Sequence, residues 1–202
     1  MTPIIIIAAV ISALCGIYPL IKHSNNKKNA ALDADPATAT ENRFINDQPK
    51  LKNFRYGLYP CAHNACECIA VHNAKLLCGI SSSLSGTIRD FHASNAMFGY
   101  GFFGTRPSAI RRVLKREDIG CTEVGIGDMK KRGAYIVSYW NSKKPFHGLH
   151  TVAVLQKGDG CIAYNNSCGR PTPFTPSAYR DRVIKVYYLG EAKSPEPRAQ
   201  SS

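Results

Sequence analysis

Two hydrophobic patterns follow one another along the chain, a helical one and then a strand-like one. Between residues 66 and 78 the apolar positions recur at helical spacing, and Gly79 supplies a stop signal directly after them. Residues 83–91 and 105–115 have a similar periodicity, with a serine or threonine near each start and a proline in the first turn of the latter. The first half of the folded region is therefore predicted to be helical.

The second half has the pattern of strands. Four segments are rich in β-branched and aromatic residues, and a glycine-containing turn at residues 158–160 separates the middle two. The predicted strands are residues 134–140, 149–155, 161–165 and 183–189. Helices followed by a hairpin-rich antiparallel sheet predict one α+β domain over residues 54–190.

An apolar run occupies residues 3–21. Its length approaches the roughly 20 residues that a membrane-spanning helix needs. A cleaved signal peptide, followed by secretion, is the alternative, but the positive charges of Lys22, Lys27 and Lys28 follow the run instead of preceding it. Residues 1–21 are therefore predicted to be a transmembrane helix or signal anchor of a single-pass membrane protein, with the rest of the chain on the cytoplasmic side.

The segments that flank the predicted domain are polar. Residues 22–53 contain few large apolar side chains, so they are predicted to form a flexible linker. The proline-bearing tail of residues 191–202 is predicted to be disordered for the same reason.

The charge and the cysteine count narrow the function classes. The net charge is +12 and the isoelectric point is about 9.4, but the basic residues are dispersed and lack the aromatic pattern of a nucleic-acid module, so no nucleic-acid partner is expected.

Of the eight cysteines, seven lie beyond the apolar run. An odd number cannot pair completely, which fits a reducing compartment.

Residues 61–79, CAHNACECIAVHNAKLLCG, concentrate the candidate chemistry. A zinc site normally presents two ligand pairs, and the spacing of Cys61, Cys66 and Cys68 lacks the second pair. A disulfide within the stretch is a further alternative. A nucleophile fits better, because Cys66 lies where the predicted helix begins and where exposed amides stabilise a thiolate. Cys68 lies about 200° further around that helix, which favours packing in the interior.

A cysteine nucleophile requires a base and a group that orients the base. His150 opens one predicted strand and Asn165 ends the next, so a hairpin would bring them together. A purely structural histidine is the alternative for His150. The order cysteine, histidine, asparagine is that of a papain-like constellation, in which the members are distant in sequence.

Four segments resemble the bacteriocin-processing, double-glycine-leader cysteine peptidases and their stand-alone relatives, a bacterial branch of the papain-like superfamily. They are a cysteine that opens a helix ending in glycine (66–79), a middle helix (104–114), a histidine strand (148–155) and the strand ending at Asn165 (162–165). The similarity covers most of residues 56–190. It implies a papain-like peptidase fold, a peptide or protein substrate, and neither a cofactor nor a metal.

Carried over residue by residue, the resemblance implies that Cys66 is the nucleophile, His150 the general base and Asn165 the orienting residue. Two departures matter. The family commonly has aspartate where this chain has Asn165, and it has a glutamine shortly before the cysteine, whereas none lies between Gln48 and Cys66. Asn64 is the nearest amide and becomes a weak oxyanion candidate. An amidase or acyltransferase on the same fold, or a weakly active or inactive relative acting as a binding protein, are the alternatives.

Overall fold

The computed structural model describes residues 3–97, 104–142, 148–166 and 169–193, with the backbone alone for residues 3–15. Helix α1 (Pro3–Ala34) opens the chain and contains Pro19. Its C-terminal half packs against the rest of the chain. Asn25 donates to the Gly57 carbonyl at 2.6 Å, and Asn29 exchanges two hydrogen bonds with the backbone of Arg55.

The prediction of a flexible linker over residues 22–53 differs from the structure in two places. Residues 22–34 continue helix α1, and the segment after it is held by specific contacts. Asp33 accepts hydrogen bonds from the backbone amides of Thr40 and Ser85, while Ile45 is buried and exchanges two hydrogen bonds with the Asn73 side chain. These polar contacts and the packing of a few apolar side chains such as Ile45 together order a segment whose composition suggested disorder.

The predicted membrane span is corrected. In the part of the chain that the structure describes, no helix is long and apolar enough to cross a membrane. From Lys22 onward helix α1 carries several charged residues and buries Asn25 and Asn29 against the domain, as a packed helix does. The localisation as a single-pass membrane protein is therefore wrong for the described part of the chain.

A short hairpin and two consecutive helices follow. Strands β1 (Arg55–Tyr56) and β2 (Tyr59–Pro60) pair antiparallel and lead into α2 (Cys61–Asn64) and α3 (Cys66–Leu77). Helix α4 (Leu84–Ala93) is capped by the Ser83 hydroxyl, which accepts from the Gly86 amide at 3.1 Å. Helix α5 (Ala109–Arg116) completes the helical half.

The strands of the second half form one antiparallel sheet. They are β3 (Thr122–Glu123), β4 (Gly133–Trp140), β5 (Leu149–Gln156), β6 (Cys161–Tyr164), β7 (Thr172–Phe174) and β8 (Val183–Gly190). Among the described residues the order across this sheet is β3-β8-β4-β5-β6-β7. Helices that precede an antiparallel sheet give a mixed α+β architecture, as the sequence predicted.

Both faces of the sheet are covered. On one face Ile136 of β4 and Ala153 of β5 belong to the core cluster that includes the apolar side of α3. On the other face Val137 and Val152 pack with Phe174 and with residues of a 3-10 turn at Ile126–Asp128. Alternation along β5 assigns odd-numbered positions to the α3 side and even-numbered positions to the opposite side. Residues 194–202, which include most of the predicted disordered tail, lie outside the described residues.

Candidate active site

A cleft of about 390 Å³ lies where strands β5 and β6 diverge. The described ladder between them begins at the pair Ala153–Tyr164, so the first residues of β5 have no partner from β6. The start of helix α3 lies beside these first residues of β5. Cys66, His150 and Asn165 all line the cleft, together with a group of amide side chains and His63. The structure thus brings the three predicted residues to one site.

Cys66 is the first residue of α3 and is 7% exposed. Its sulfur donates to Glu67 Oε2 at 3.3 Å and lies 4.0 Å from the Leu149 carbonyl oxygen. Burial and the neighbouring Glu67 carboxylate raise the pKa of the Cys66 thiol well above its ordinary value, and they outweigh the backbone amides of Thr151 and Glu67, which lower it. The Glu67 backbone amide at the helix start lowers the pKa of Cys66, as the sequence suggested, but in this arrangement burial and the Glu67 carboxylate have the larger effect and favour the protonated thiol.

Glu67 lies beside the sulfur and is 1% exposed. Burial raises the pKa of its carboxyl to about 7, although hydrogen bonds from its own backbone amide, from Cys66 and from the Thr151 hydroxyl act in the opposite direction. No sequence signal identified Glu67 as a buried partner of the cysteine, because strand β5 supplies Thr151 from a distant part of the chain.

His150 is held by its Nε2 atom, which donates to the main-chain carbonyl of Asn165 at 2.7 Å. Burial lowers the pKa of His150, and the Asn165 carbonyl partly opposes that shift. A carbonyl only accepts, so Nε2 carries the proton of the neutral ring and Nδ1 keeps its lone pair. The ring also meets Tyr139, its cross-strand neighbour on β4, edge to face at a centroid distance of 5.8 Å.

The single S–H of Cys66 points to Glu67, the Leu149 carbonyl lies further from the sulfur, and neither contact involves the His150 ring. The alternation of β5 gives the reason. Thr151 faces α3 and Glu67, whereas His150 shares the opposite parity with Val152 and Val154. A thiolate–imidazolium pair between Cys66 and His150 therefore requires the cysteine side chain to turn away from Glu67.

Asn165 orients His150 through its backbone instead of its side chain. The residue has φ of +62°, a left-handed conformation that asparagine tolerates better than most residues. Its side-chain amide donates to Gln48 Oε1 at 3.2 Å, and its backbone amide donates to Asn46 Oδ1 at 3.1 Å. The choice between asparagine and aspartate at this position therefore does not decide whether the histidine has an acceptor.

The oxyanion candidate Asn64 is not among the residues that line the cleft. Its side-chain amide donates to the Tyr56 carbonyl at 3.0 Å, inside the domain. Gln48 lines the cleft instead, although it is far upstream of the cysteine in the chain. Gln48 Nε2 donates to the Cys61 carbonyl at 3.0 Å, so this glutamine connects the segment before the domain to helix α2 and to Asn165. Sequence spacing excluded Gln48, and only the fold of residues 35–53 brings it to the site.

The remaining cysteines show neither of the alternative chemistries in the described part of the chain. Cys61, Cys66, Cys68, Cys78, Cys121 and Cys161 are free thiols. Across the same residues no group of histidine, cysteine and carboxylate side chains is arranged to hold a metal ion. Cys68 is fully buried in the core cluster of α3, on the side that the helical geometry predicted.

Comparison with known proteins adds no assignment: no protein-family model matches the chain, and no curated protein matches it.

Proposed function

We propose that this protein is a papain-like cysteine peptidase that hydrolyses a peptide bond with Cys66 as nucleophile, His150 as general base and Asn165 as orienting residue. One observation carries the proposal. Three residues from helix α3, strand β5 and the end of strand β6, singled out from sequence, line a single cleft of about 390 Å³. The order of helices and antiparallel sheet is compatible with the papain-like arrangement that the sequence resembles.

The chemistry follows from the roles of these atoms. His150 Nδ1 takes the proton of the Cys66 thiol once the sulfur has turned into the cleft, and the thiolate attacks the substrate carbonyl carbon. The imidazolium then gives its proton to the leaving amine, and an acyl-enzyme remains on the sulfur. His150 removes a proton from a water molecule, which attacks the thioester and releases the acid. The Asn165 carbonyl accepts from Nε2–H throughout and stabilises the charged ring.

The cleft lining supports a peptide as substrate. Its polar side chains are mainly amides, from Asn46, Gln48, Asn141, Asn165 and Asn166. Carboxylate, lysine and arginine side chains are not found among the described residues that line it. Amides both donate and accept, so they match the alternating N–H and C=O groups of an extended peptide. An uncharged segment around the scissile bond is the substrate that this lining favours.

An acyl-forming probe with a peptide recognition element tests the proposal on the full chain. We expect one adduct, located at Cys66 by mass spectrometry. Cys66→Ala should abolish it, and the buried Cys68→Ala should retain it as the matched control. His150→Gln should lower the labelling rate by at least about 10³-fold, because the general base is lost while the nucleophile stays. Labelling that is unaffected by His150→Gln, or that occurs equally at several cysteines, would contradict the proposal.

A non-catalytic binding protein is the second candidate, and one observation favours it. The Cys66 thiol is buried and hydrogen-bonded to a carboxylate, an environment that opposes its ionisation. In that case the cleft binds uncharged peptides without cleaving them. Peptide affinity that is the same in wild type and Cys66→Ala, with no acyl adduct in either, would identify this second function.

A further inference from the structure

The contact between Cys66 and Glu67 joins two groups that both resist ionisation in the interior. The carboxylate is 1% exposed, and its described partners are the Cys66 thiol, the Thr151 hydroxyl and its own backbone amide. A buried charge is costly unless it is paired or well hydrogen-bonded. Each of these donors is neutral. The S–H bond of Cys66 is therefore one of the few contacts that stabilise the charged carboxylate.

Among the described residues, the groups that interact with this pair include no compensating cation. The titratable groups that interact with it are Tyr56 of β1, Cys68 of α3 and Tyr139 of β4, and His150 of β5 lines the same cleft as Cys66. Burial raises the pKa of Tyr56, Tyr139 and Cys68 and lowers that of His150, so all four are neutral at pH 7. A Cys66 thiolate in its resting position would therefore face a carboxylate without relief from a positive charge.

We propose that Glu67 is a positioning residue that keeps Cys66 protonated and directs its S–H bond away from His150, so that the nucleophile is released only when the cysteine side chain turns into the cleft. The inference rests on the proposed function, because it assigns to Glu67 the control of that nucleophile in the resting protein. The control of the thiol itself can be measured without any substrate.

The direction of the pH effect follows from charge. Above about pH 7 the Glu67 carboxyl is ionised and opposes the loss of the thiol proton, so it delays the rise of Cys66 reactivity to higher pH. Glu67→Gln keeps the volume of the side chain and removes its charge. The variant should therefore move the onset of Cys66 reactivity to lower pH, whereas a purely structural role for Glu67 would leave that onset in place.

Peptide-resolved alkylation of the full chain with iodoacetamide, followed from pH 6 to 10, measures this onset. Each unit by which the pKa falls multiplies the thiolate fraction about tenfold, and the weaker nucleophilicity of a less basic thiolate reduces the gain in rate to about threefold per unit. We expect Glu67→Gln to raise the Cys66 rate at pH 8 about threefold or more. Cys121 and Cys161 are also free thiols, the first partly accessible and the second shallowly buried. They serve as internal references, and their alkylation rates should be the same in wild type and variant. Coincident Cys66 profiles in wild type and variant would overturn the proposal.

A second pair of variants keeps the test valid if Glu67→Gln does not fold. Thr151→Val removes the hydroxyl that lowers the pKa of Glu67, so the carboxyl stays neutral to higher pH and Cys66 should react faster between pH 7 and 8. Ser138→Ala removes the neighbouring hydroxyl, 3.0 Å from that of Thr151, and should leave the rate unchanged. Equal rates in Thr151→Val and Ser138→Ala would contradict the role of Glu67.

The outcomes separate this inference from the proposed function. Faster alkylation in Glu67→Gln without any acyl adduct would support control by Glu67 and reject the peptidase. An acyl adduct at Cys66 with an unchanged alkylation profile would support the peptidase and reject control by Glu67.

Discussion

Asn165 shows at the scale of one residue how a position can be identified correctly and its contact incorrectly. The sequence predicted that its side chain accepts from His150, but the acceptor is its main-chain carbonyl. Asn165 has a left-handed φ of +62°, its carbonyl accepts from the ring, and its side chain contacts Gln48 instead. What the site requires here is a backbone conformation, which a residue pattern encodes only indirectly.

This distinction predicts different effects for two small substitutions. Asn165→Gly retains both the carbonyl and free access to the left-handed region, so His150 should keep its orientation and Cys66 most of its labelling rate. Asn165→Ala retains the carbonyl but adds a strain of about 1 kcal/mol at that φ, and should lose both more stability and more labelling. Probe labelling together with urea unfolding measures the two effects. If glycine is the more damaging replacement, the Asn165 side chain itself is required.

At the scale of one element, helix α1 shows why the segment from residue 22 was predicted to be flexible. Between residues 16 and 34 the buried positions on this helix are asparagines, and a hydrophobic periodicity therefore does not reveal them. Asn29 bonds to both backbone groups of Arg55, and Asp33 receives the amides of Thr40 and Ser85. Their partners come from other segments, so the ordering of residues 22–34 is a tertiary effect.

The docking of helix α1 can be measured through Asn29. Asn29→Ala removes both of its hydrogen bonds and leaves the backbone groups of Arg55 without these partners, which should lower the free energy of unfolding by about 2 kcal/mol. The exposed Lys28→Ala on the same helix serves as the matched control and should leave stability unchanged. Urea denaturation of the two variants measures their free energies of unfolding. Identical midpoints would mean that α1 does not pack on the domain in solution.

At the scale of the whole molecule, buried histidines connect stability to pH. His72 on α3 donates through Nε2 to the Arg43 carbonyl at 2.8 Å, and its Nδ1 accepts from the Ser82 hydroxyl at 3.0 Å. Burial lowers the pKa of His72 to about 4. The unfolded chain therefore binds a proton near pH 6.5 that the folded chain refuses until about pH 4, so the contribution of neutral His72 is complete above pH 6.5 and declines below it.

Three other buried groups affect the same pH range, and His150, whose pKa burial lowers, acts in the same direction as His72. Burial also lowers the pKa of His92 to about 4, which acts in the same direction. The raised pKa of Glu67 acts oppositely, because the folded chain holds that proton between about pH 4.5 and 7 while the unfolded chain releases it. Three histidines against one carboxyl leave a net loss of stability on acidification.

A variant isolates the part that His72 contributes. His72→Gln should be less stable than wild type at pH 7.5, and this difference should shrink by about 2 kcal/mol at pH 5, because the wild type loses the advantage of a neutral imidazole there. The exposed His23→Gln serves as the control for the chemical replacement itself. Denaturant unfolding at the two pH values gives both numbers. A constant difference for His72→Gln would contradict the assigned environment.

The sequence by itself determined the succession of helices and antiparallel strands, the helix start at Cys66 and the strand positions of His150 and Asn165, because helical periodicity, strand alternation and turn residues are local properties of the chain. It also determined that Cys68 packs in the interior, since that follows from the rotation of a helix between successive residues.

Only the tertiary structure decided which atoms meet in the cleft. The carbonyl of Asn165 and the amide of Gln48 reach the cleft through backbone direction and through contacts between segments far apart in the chain. Glu67 adjoins Cys66 in the sequence, but its burial and its contact with Thr151 arise only in the folded chain. The ionisation state of Cys66 depends on burial and on a neighbouring charge, and both arise only when helix α3 packs against strand β5. Such long-range packing has no counterpart in a local sequence pattern.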